Sequence, residues 1–263
     1  MIRLNFVIYR QPQFSREKFQ EYWRTTHGPL VASVQRDLNI RRYVQNHTAD
    51  DEMSRGFREP RVGMQEPPDG IASLWFDNRE QLVAGFASDA GKQAGRLLLE
   101  DEKNFIDLSR SPIWLAEEIA QINPMNEGSI VASPESSWVK LCYLLNPLPG
   151  MSEADCQMTW RMDHGYLIRR HSAPTCFQRY IQNHTLDDPL NGPLAEARGA
   201  PAAYTGLTEC WFDRYDLEKI LASPESEEAK GFGYFLEDEK RFIDFSRSSV
   251  WSAKERVFVD QID

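Results

Sequence analysis

The sequence predicts an α+β chain in which two tandem βαββαβ units pair sheet to sheet as one barrel. Three observations carry this. The first is an internal repeat: "RYVQNHT" (Arg42–Thr48) returns as "RYIQNHT" (Arg179–Thr185), 137 positions further on. "EDEKNFIDLSRS" (Glu100–Ser111) returns as "EDEKRFIDFSRS" (Glu237–Ser248), and "WRTTHGPL" (Trp23–Leu30) as "WRMDHGYL" (Trp160–Leu167). "LWFD" (Leu74–Asp77) returns as "CWFD" (Cys210–Asp213). Two copies are too few for a solenoid, so they are expected to pack on each other. The second observation is the fixed order in which strand-like and helix-like periodicity alternate within each copy. The third is a hydrophobic content of 41% with 27% charge over 263 residues, which fits a globular protein of one large domain or two of ordinary size.

The elements follow in order. "IRLNFVIY" alternates as a strand, with Leu4, Phe6 and Ile8 on one face and Arg3, Asn5 and Val7 on the other. Ser15 caps a helix that shows Phe19, Tyr22, Trp23 and Thr26 on one side. His27-Gly28-Pro29 is expected to interrupt it, because a residue before proline avoids helical angles. "IRRYVQNH" and "GIASLWFD" read as the second and third strands. The segment from Arg79 to about Asp107 reads as helical, with "EDEK" on a solvated face, and "PIWLAEEI" as the fourth strand. This order is the ferredoxin-like pattern. It leaves one sheet face bare, which the second copy can cover. The expected units are 1–122 and 138–263, with 123–137 as linker. The segments Ala49–Pro68 and Leu186–Ala203 exceed the usual connection length and are expected to close over pocket mouths as lids.

A net charge of −10 argues against a nucleic-acid partner and against docking on an anionic membrane. No apolar run reaches 18 residues, and the N-terminus lacks the apolar core and cleavage site of a signal peptide. Cys142, Cys156, Cys176 and Cys210 all fall in the second half without CxxC spacing. They read as reduced thiols in a cytoplasmic protein.

Side chains alternate along the second strand. Assigning aliphatic Val44 and Ile181 to the helix side turns Tyr43, Gln45 and His47 toward a cavity between the sheets, with Ile71, Ser73 and Trp75. In the second copy the same wall is Tyr180, Gln182, His184, Leu207, Glu209 and Trp211. Aromatic and aliphatic walls with a few polar groups suit a small, mostly apolar ligand. Four of the five histidines fall at duplicated places, His27 with His164 and His47 with His184, as general acid/base candidates. Tyr43 and Tyr180 join them. Trp75, Trp211, Gln45, Gln182, Asn46 and Asn183 are candidate substrate contacts. The second copy has Asp163 for Thr26 and Glu209 for Ser73, so its pocket is expected to carry most of the chemistry, with Asp163 or Glu209 orienting an imidazole and Glu209 raised toward neutrality. No third ligand recurs with His27 and His47, so no metal site is expected.

The runs "FQEYWRTTHGPLV", "RYVQNH", "DGIASLWFD" and "EDEKNFID" resemble the EthD-like domain of the dimeric α/β-barrel superfamily over most of each copy. The resemblance implies paired ferredoxin-like domains and a cofactor-free pocket between sheet and helices. There, histidines would move protons on an oxygen-rich, largely apolar molecule. His27 and His164 match the histidine of the family's His-Gly-Pro-Leu element; the second copy departs from it, with Tyr166 in place of proline. The expected function is a cofactor-independent lyase, isomerase or cyclase acting on a small aromatic, lactone or polyketide-like carbonyl compound. The alternatives are an oxidative or haem-linked enzyme of the same fold and a carrier of an apolar small molecule. The expected partner is the substrate alone, with a further homodimer left open.

Overall fold

The computed structural model describes residues 1–49, 51–125 and 130–262. The first half runs β1 (Ile2–Ile8), α1 (Arg16–Tyr22), a π-helical turn (Trp23–His27), α2 (Gly28–Ser33), β2 (Arg42–Ala49), α3 (Glu52–Arg58), β3 (Gly70–Phe76), α4 (Arg79–Ala87), α5 (Asp89–Glu102) and β4 (Ile113–Ile122). The second half runs β5 (Trp138–Leu145), α6 (Glu153–Thr159), a second π-helical turn (Trp160–His164), α7 (Gly165–His171), β6 (Arg179–Thr185), α8 (Asn191–Glu196), β7 (Gly206–Asp213), α9 (Arg214–Leu221), α10 (Glu227–Glu239) and β8 (Ser249–Asp260). Serine starts the equivalent helices: Ser15 accepts from the Lys18 amide and Ser152 from the Asp155 amide.

The eight strands form one closed antiparallel barrel in the order β1-β3-β2-β8-β5-β7-β6-β4. The halves join edge to edge rather than face to face. β4 pairs with β1 through Ile113–Ala116 and then with β6 through Ala116–Ile122. β8 pairs in the same way, first with β5 and then with β2. Each half thereby leaves the other no free strand edge.

The barrel interior is polar at one end. Arg3 donates to both Glu209 oxygens at 2.5 and 2.9 Å, to Glu118 at 2.7 Å and to Asn183 at 2.8 Å. Lys140, its counterpart in the repeat, reaches Glu209 at 2.6 Å, Glu255 at 2.9 Å and Asn46 at 2.7 Å. Arg3 lies over the Trp75 ring and Lys140 over the Trp211 ring. Burial alone would raise the Glu209 carboxyl; Arg3 and then Lys140 outweigh it and hold it well below the usual carboxylate range. The segment after β4 seals this end: Ile130 and Ala132 pack with Ile181 and Trp211, and the Ala132 amide donates to Glu255 at 2.7 Å. The other end is apolar, built around Trp114 and Trp251 with Val7, Ile71, Leu144 and Leu207.

Two expectations are corrected here. Tyr43, Gln45 and His47 register with Leu74, Ala72 and Gly70, and so face the helices; Val44 and Asn46 register with Ser73 and Ile71 and face the interior. The second half is the same: Tyr180, Gln182 and His184 face the helices, while Asn183, Glu209 and Trp211 point inward. Both sheet faces are buried, so an aliphatic residue does not mark the helix side. The buried cations Arg3 and Lys140 need the carbonyls of Asn183 and Asn46, and that need fixes the interior face. The chain also stays helical through Gly28, at φ −57° and ψ −54°. Glycine lacks the Cβ that proline's ring would crowd.

Glu209→Gln leaves two buried cations with one carboxylate fewer. It is expected to destabilise the fold by about 3–5 kcal/mol, read as a lower urea midpoint. A loss below about 1 kcal/mol would show that the cluster does not hold the barrel interior.

Candidate active site

The duplicated "Tyr-Gln-Asn-His" is a tether between strand and helix. In the π-helical turn the Trp23 carbonyl accepts from the Gly28 amide, five residues on. It also accepts from Gln45 Nε2 at 2.8 Å. Gln45 Nε2 donates as well to Tyr43 Oη at 2.9 Å, and Gln45 Oε1 lies 2.8 Å from His47 Nε2. His47 stacks on Trp23, with ring centroids 4.5 Å apart. Gly70 makes room for this, since a Cβ there would lie 2.5 Å from the Trp23 ring. The second half repeats the arrangement through Trp160, Gln182, His184 and Gly206.

The tether fixes the end of each π turn, and with it His27 and His164. His27 Nδ1 lies 2.7 Å from Asp101, and His164 Nδ1 lies 2.9 Å from Asp238. A carboxylate can only accept, so Nδ1 carries the proton and Nε2 is left to act as a base. The bond to His27 lowers the Asp101 pKa, and the bond to His164 lowers that of Asp238. Both carboxylates therefore stay charged beside their rings. Tyr22 also donates to Asp101, at 2.7 Å.

Each of these histidines lines a small, mostly apolar cavity between sheet and helices. The cavity is about 60 Å³ in the first half, with Tyr43, Phe76 and Leu98, and about 50 Å³ in the second, with Tyr180, Phe212 and Phe235. Burial pushes the Tyr43 and Tyr180 hydroxyls well above their ordinary pKa, so both stay protonated as donors. The loops after β2 and β6 cross over. Phe57 and Arg61, from the first half, close the second-half cavity, where Arg61 donates to both Glu239 oxygens at 2.6 Å. Leu194 and Arg198, from the second half, close the first-half cavity, where Arg198 binds Glu102 at 2.8 and 2.9 Å. Each half thus supplies the cover of the other's site.

The candidates from the sequence divide accordingly. His27, His164, Tyr43 and Tyr180 come together in the cavities. His47 and His184 do not line them. Burial, then Arg256 and Arg24, push His47 down to about 3; burial, then Arg161, push His184 down to about 4. Both rings are neutral near pH 7. Asp163 is 58% exposed and lies 3.5 Å from Arg241, away from His164 Nδ1. Glu209, Trp75, Trp211, Asn46 and Asn183 belong to the barrel interior, and Gln45 and Gln182 to the tether. The carboxylates at the two cavities come from "EDEK". Glu100 and Lys103 pair on the exposed face as expected, but Asp101 and Glu102 turn inward. The signal available was their spacing: the acidic pair returns as Asp238 and Glu239, on the helix that precedes the last strand of each copy. Among the described residues, no three His, Cys, Asp or Glu side chains converge as metal ligands.

Fold and site together define a barrel with two sheet–helix cavities, each holding a His–Asp pair. The chain belongs to the EthD domain family, whose model matches residues 11–109 and 148–246. No curated protein matches the sequence. Among solved structures, an anthrone oxidase-like protein superposes with a TM-score of 0.53 at 9% identity, over 99% of this chain and 94% of its own. A monooxygenase candidate from Fusobacterium nucleatum superposes with a TM-score of 0.50 at 5% identity, over 97% and 93%. At these identities the likeness is one of fold. Among the described residues no helix is long and apolar enough to cross a membrane, and the four cysteines are free thiols.

His47 and His184 bind a proton far more readily once unfolded, near pH 6.5. Folding stability should therefore fall as pH drops from about 6.5 toward 4, because the unfolded chain takes up protons that the fold refuses. His47→Gln and His184→Gln should flatten that slope in urea unfolding measured from pH 7 to 4. An imidazole resonance of either residue titrating near 6.5 in the folded protein would contradict the placement.

Proposed function

We propose that this chain is an enzyme that transfers protons on a small, largely apolar, oxygen-bearing molecule. The reaction class is a lyase, isomerase or cyclase step that needs no organic cofactor, carried out by two ferredoxin-like units in one chain. The observation that carries this is the duplicated His–Asp pair at the wall of a closed apolar cavity. A carrier of an apolar ligand has no use for a half-buried carboxylate fixed on an imidazole beside both cavities. A proton-transfer enzyme does, because the pair sets the tautomer and supports the charged intermediate.

The residues divide the work as follows. Nε2 of His27, or of His164, removes a proton from carbon next to a carbonyl. The paired aspartate balances the imidazolium. Tyr43, or Tyr180, with its proton held firmly by burial, donates to the developing enolate oxygen. The imidazolium then returns the proton to another atom of the ligand, or to a leaving hydroxyl. Closure by Arg61 and Arg198 keeps water from the enolate. The two cavities carry the same acid–base set, which removes the reason for giving the second one most of the chemistry.

The test is deuterium exchange. Anthrone and a set of aromatic ketones and lactones are incubated with the protein in D₂O, and exchange next to the carbonyl is followed by NMR. The protein should accelerate exchange for at least one of them. His27→Ala combined with His164→Ala should cut that rate by about 10²–10⁴-fold, while Asp163→Asn, on the exposed side of the turn, should leave it within a fewfold of the parent. A His27/His164 variant that exchanges as fast as the parent would overturn the proposal.

A further inference from the structure

The acid–base groups of the two cavities match, but the walls do not. Counting back from the shared "EDEK", Gly95 on α5 occupies the place of Phe232 on α10, and Leu98 that of Phe235; each lines its own cavity. On β1, Phe6 stands where β5 has Tyr143, and both rings lie beneath the crossing arginine, 5.3 Å from Arg198 and 5.5 Å from Arg61. On the third strand of each copy, Ala72 and Leu74 stand where the second copy has Thr208 and Cys210.

These differences add up in one direction. In the second cavity Phe177, Phe212, Phe232 and Phe235 form a contiguous aromatic cluster, with ring centroids 4.7 to 6.1 Å apart. Phe57 of the crossing loop meets Phe232 edge to face at 5.8 Å. Tyr143 donates to Glu239 at 3.2 Å and accepts from Arg61, which leaves one lone pair of its oxygen for a hydroxyl donor. The first cavity is mainly aliphatic along the same walls. At Gly95 a Cβ would meet nothing within 4 Å, so the glycine opens space in the middle of a helix, where it costs about 1 kcal/mol against alanine.

We propose that the two cavities select different ligands: the second a planar aromatic molecule bearing a hydroxyl, the first a thicker alicyclic or branched one. Aromatic pairing adds roughly 0.5–1.5 kcal/mol beyond the area buried, or about 2- to 12-fold in affinity. The hydroxyl contact at Tyr143 adds a factor of similar size. Phe6 offers no such contact, and the space at Gly95 admits a ring that is not flat. The inference rests on the cavities as ligand sites and not on any reaction there.

The probes are 1-naphthol and decahydro-1-naphthol, which share a carbon skeleton and differ in flatness. Each is titrated calorimetrically into the full chain. Gly95→Phe should abolish decahydro-1-naphthol binding and leave 1-naphthol affinity within twofold. Tyr143→Phe should weaken 1-naphthol by about 2- to 12-fold and leave the alicyclic probe unchanged. If circular dichroism shows Gly95→Phe misfolded, Gly95→Leu takes its place with the same expectation. Parallel changes for both probes in either variant would overturn the proposal, as would a parent chain that binds neither. Because no turnover is read, an inactive protein with split selectivity would sink the proposed function and leave this inference standing.

Discussion

Everything in this molecule depends on the exchange of strand edges between its halves. β4 and β8 are longer than their own repeats require, and the outer part of each completes the other repeat's sheet. That exchange closes the barrel and removes the edges a lone four-stranded sheet would leave open. It also decides where the loops go. The chain leaving β2 lies along β8, with Ser54 bonded to Ser252 and Gln65 to Ser248 and Ser249, which carries Arg61 over the second-half cavity. The chain leaving β6 lies along β4, with Asn191 and Leu186 bonded to Leu115, which carries Arg198 over the first-half cavity. Neither site is complete within one repeat.

Duplication inside one chain also permits an asymmetry that two identical subunits could not have. Arg3 and Lys140 are equivalent cations near the same end of the barrel. Two glutamates at the Glu209 position would crowd like charges, and two serines would leave the cations short of partners. With Ser73 in one copy and Glu209 in the other, a single carboxylate bridges both cations. The substitution that reads in the sequence as a catalytic gain is therefore a packing solution for a buried charge cluster.

The repeat and the element order were legible because they rest on identity at a fixed offset and on simple periodicity; that the halves join through strand edges rather than sheet faces was not, because β4 and β8 read as ordinary last strands of their own copies. The histidine of "HGPL" was legible through the same fixed offset. The facing of the second strand was not. In a closed barrel with helices outside, both faces of a strand are buried, and Val44 carries no information about which side is which. The carboxylates Asp101 and Asp238 were hidden in a run whose neighbours, Glu100 and Lys103, do lie on a solvated face. Charge runs on helices average two environments, and only three-dimensional placement separates them. The crossing of the lids was equally out of reach, since a loop's length does not say which repeat it covers.

The central claim is that each site is built by both halves, so neither half can open without exposing the other's cavity. Urea unfolding followed by hydrogen exchange tests it directly, reading amides of β2 and β6 in the same sample. The account predicts one transition, with both strands losing protection at the same urea concentration and with the same slope. Two separate transitions, with β6 still protected after β2 has exchanged, would contradict it.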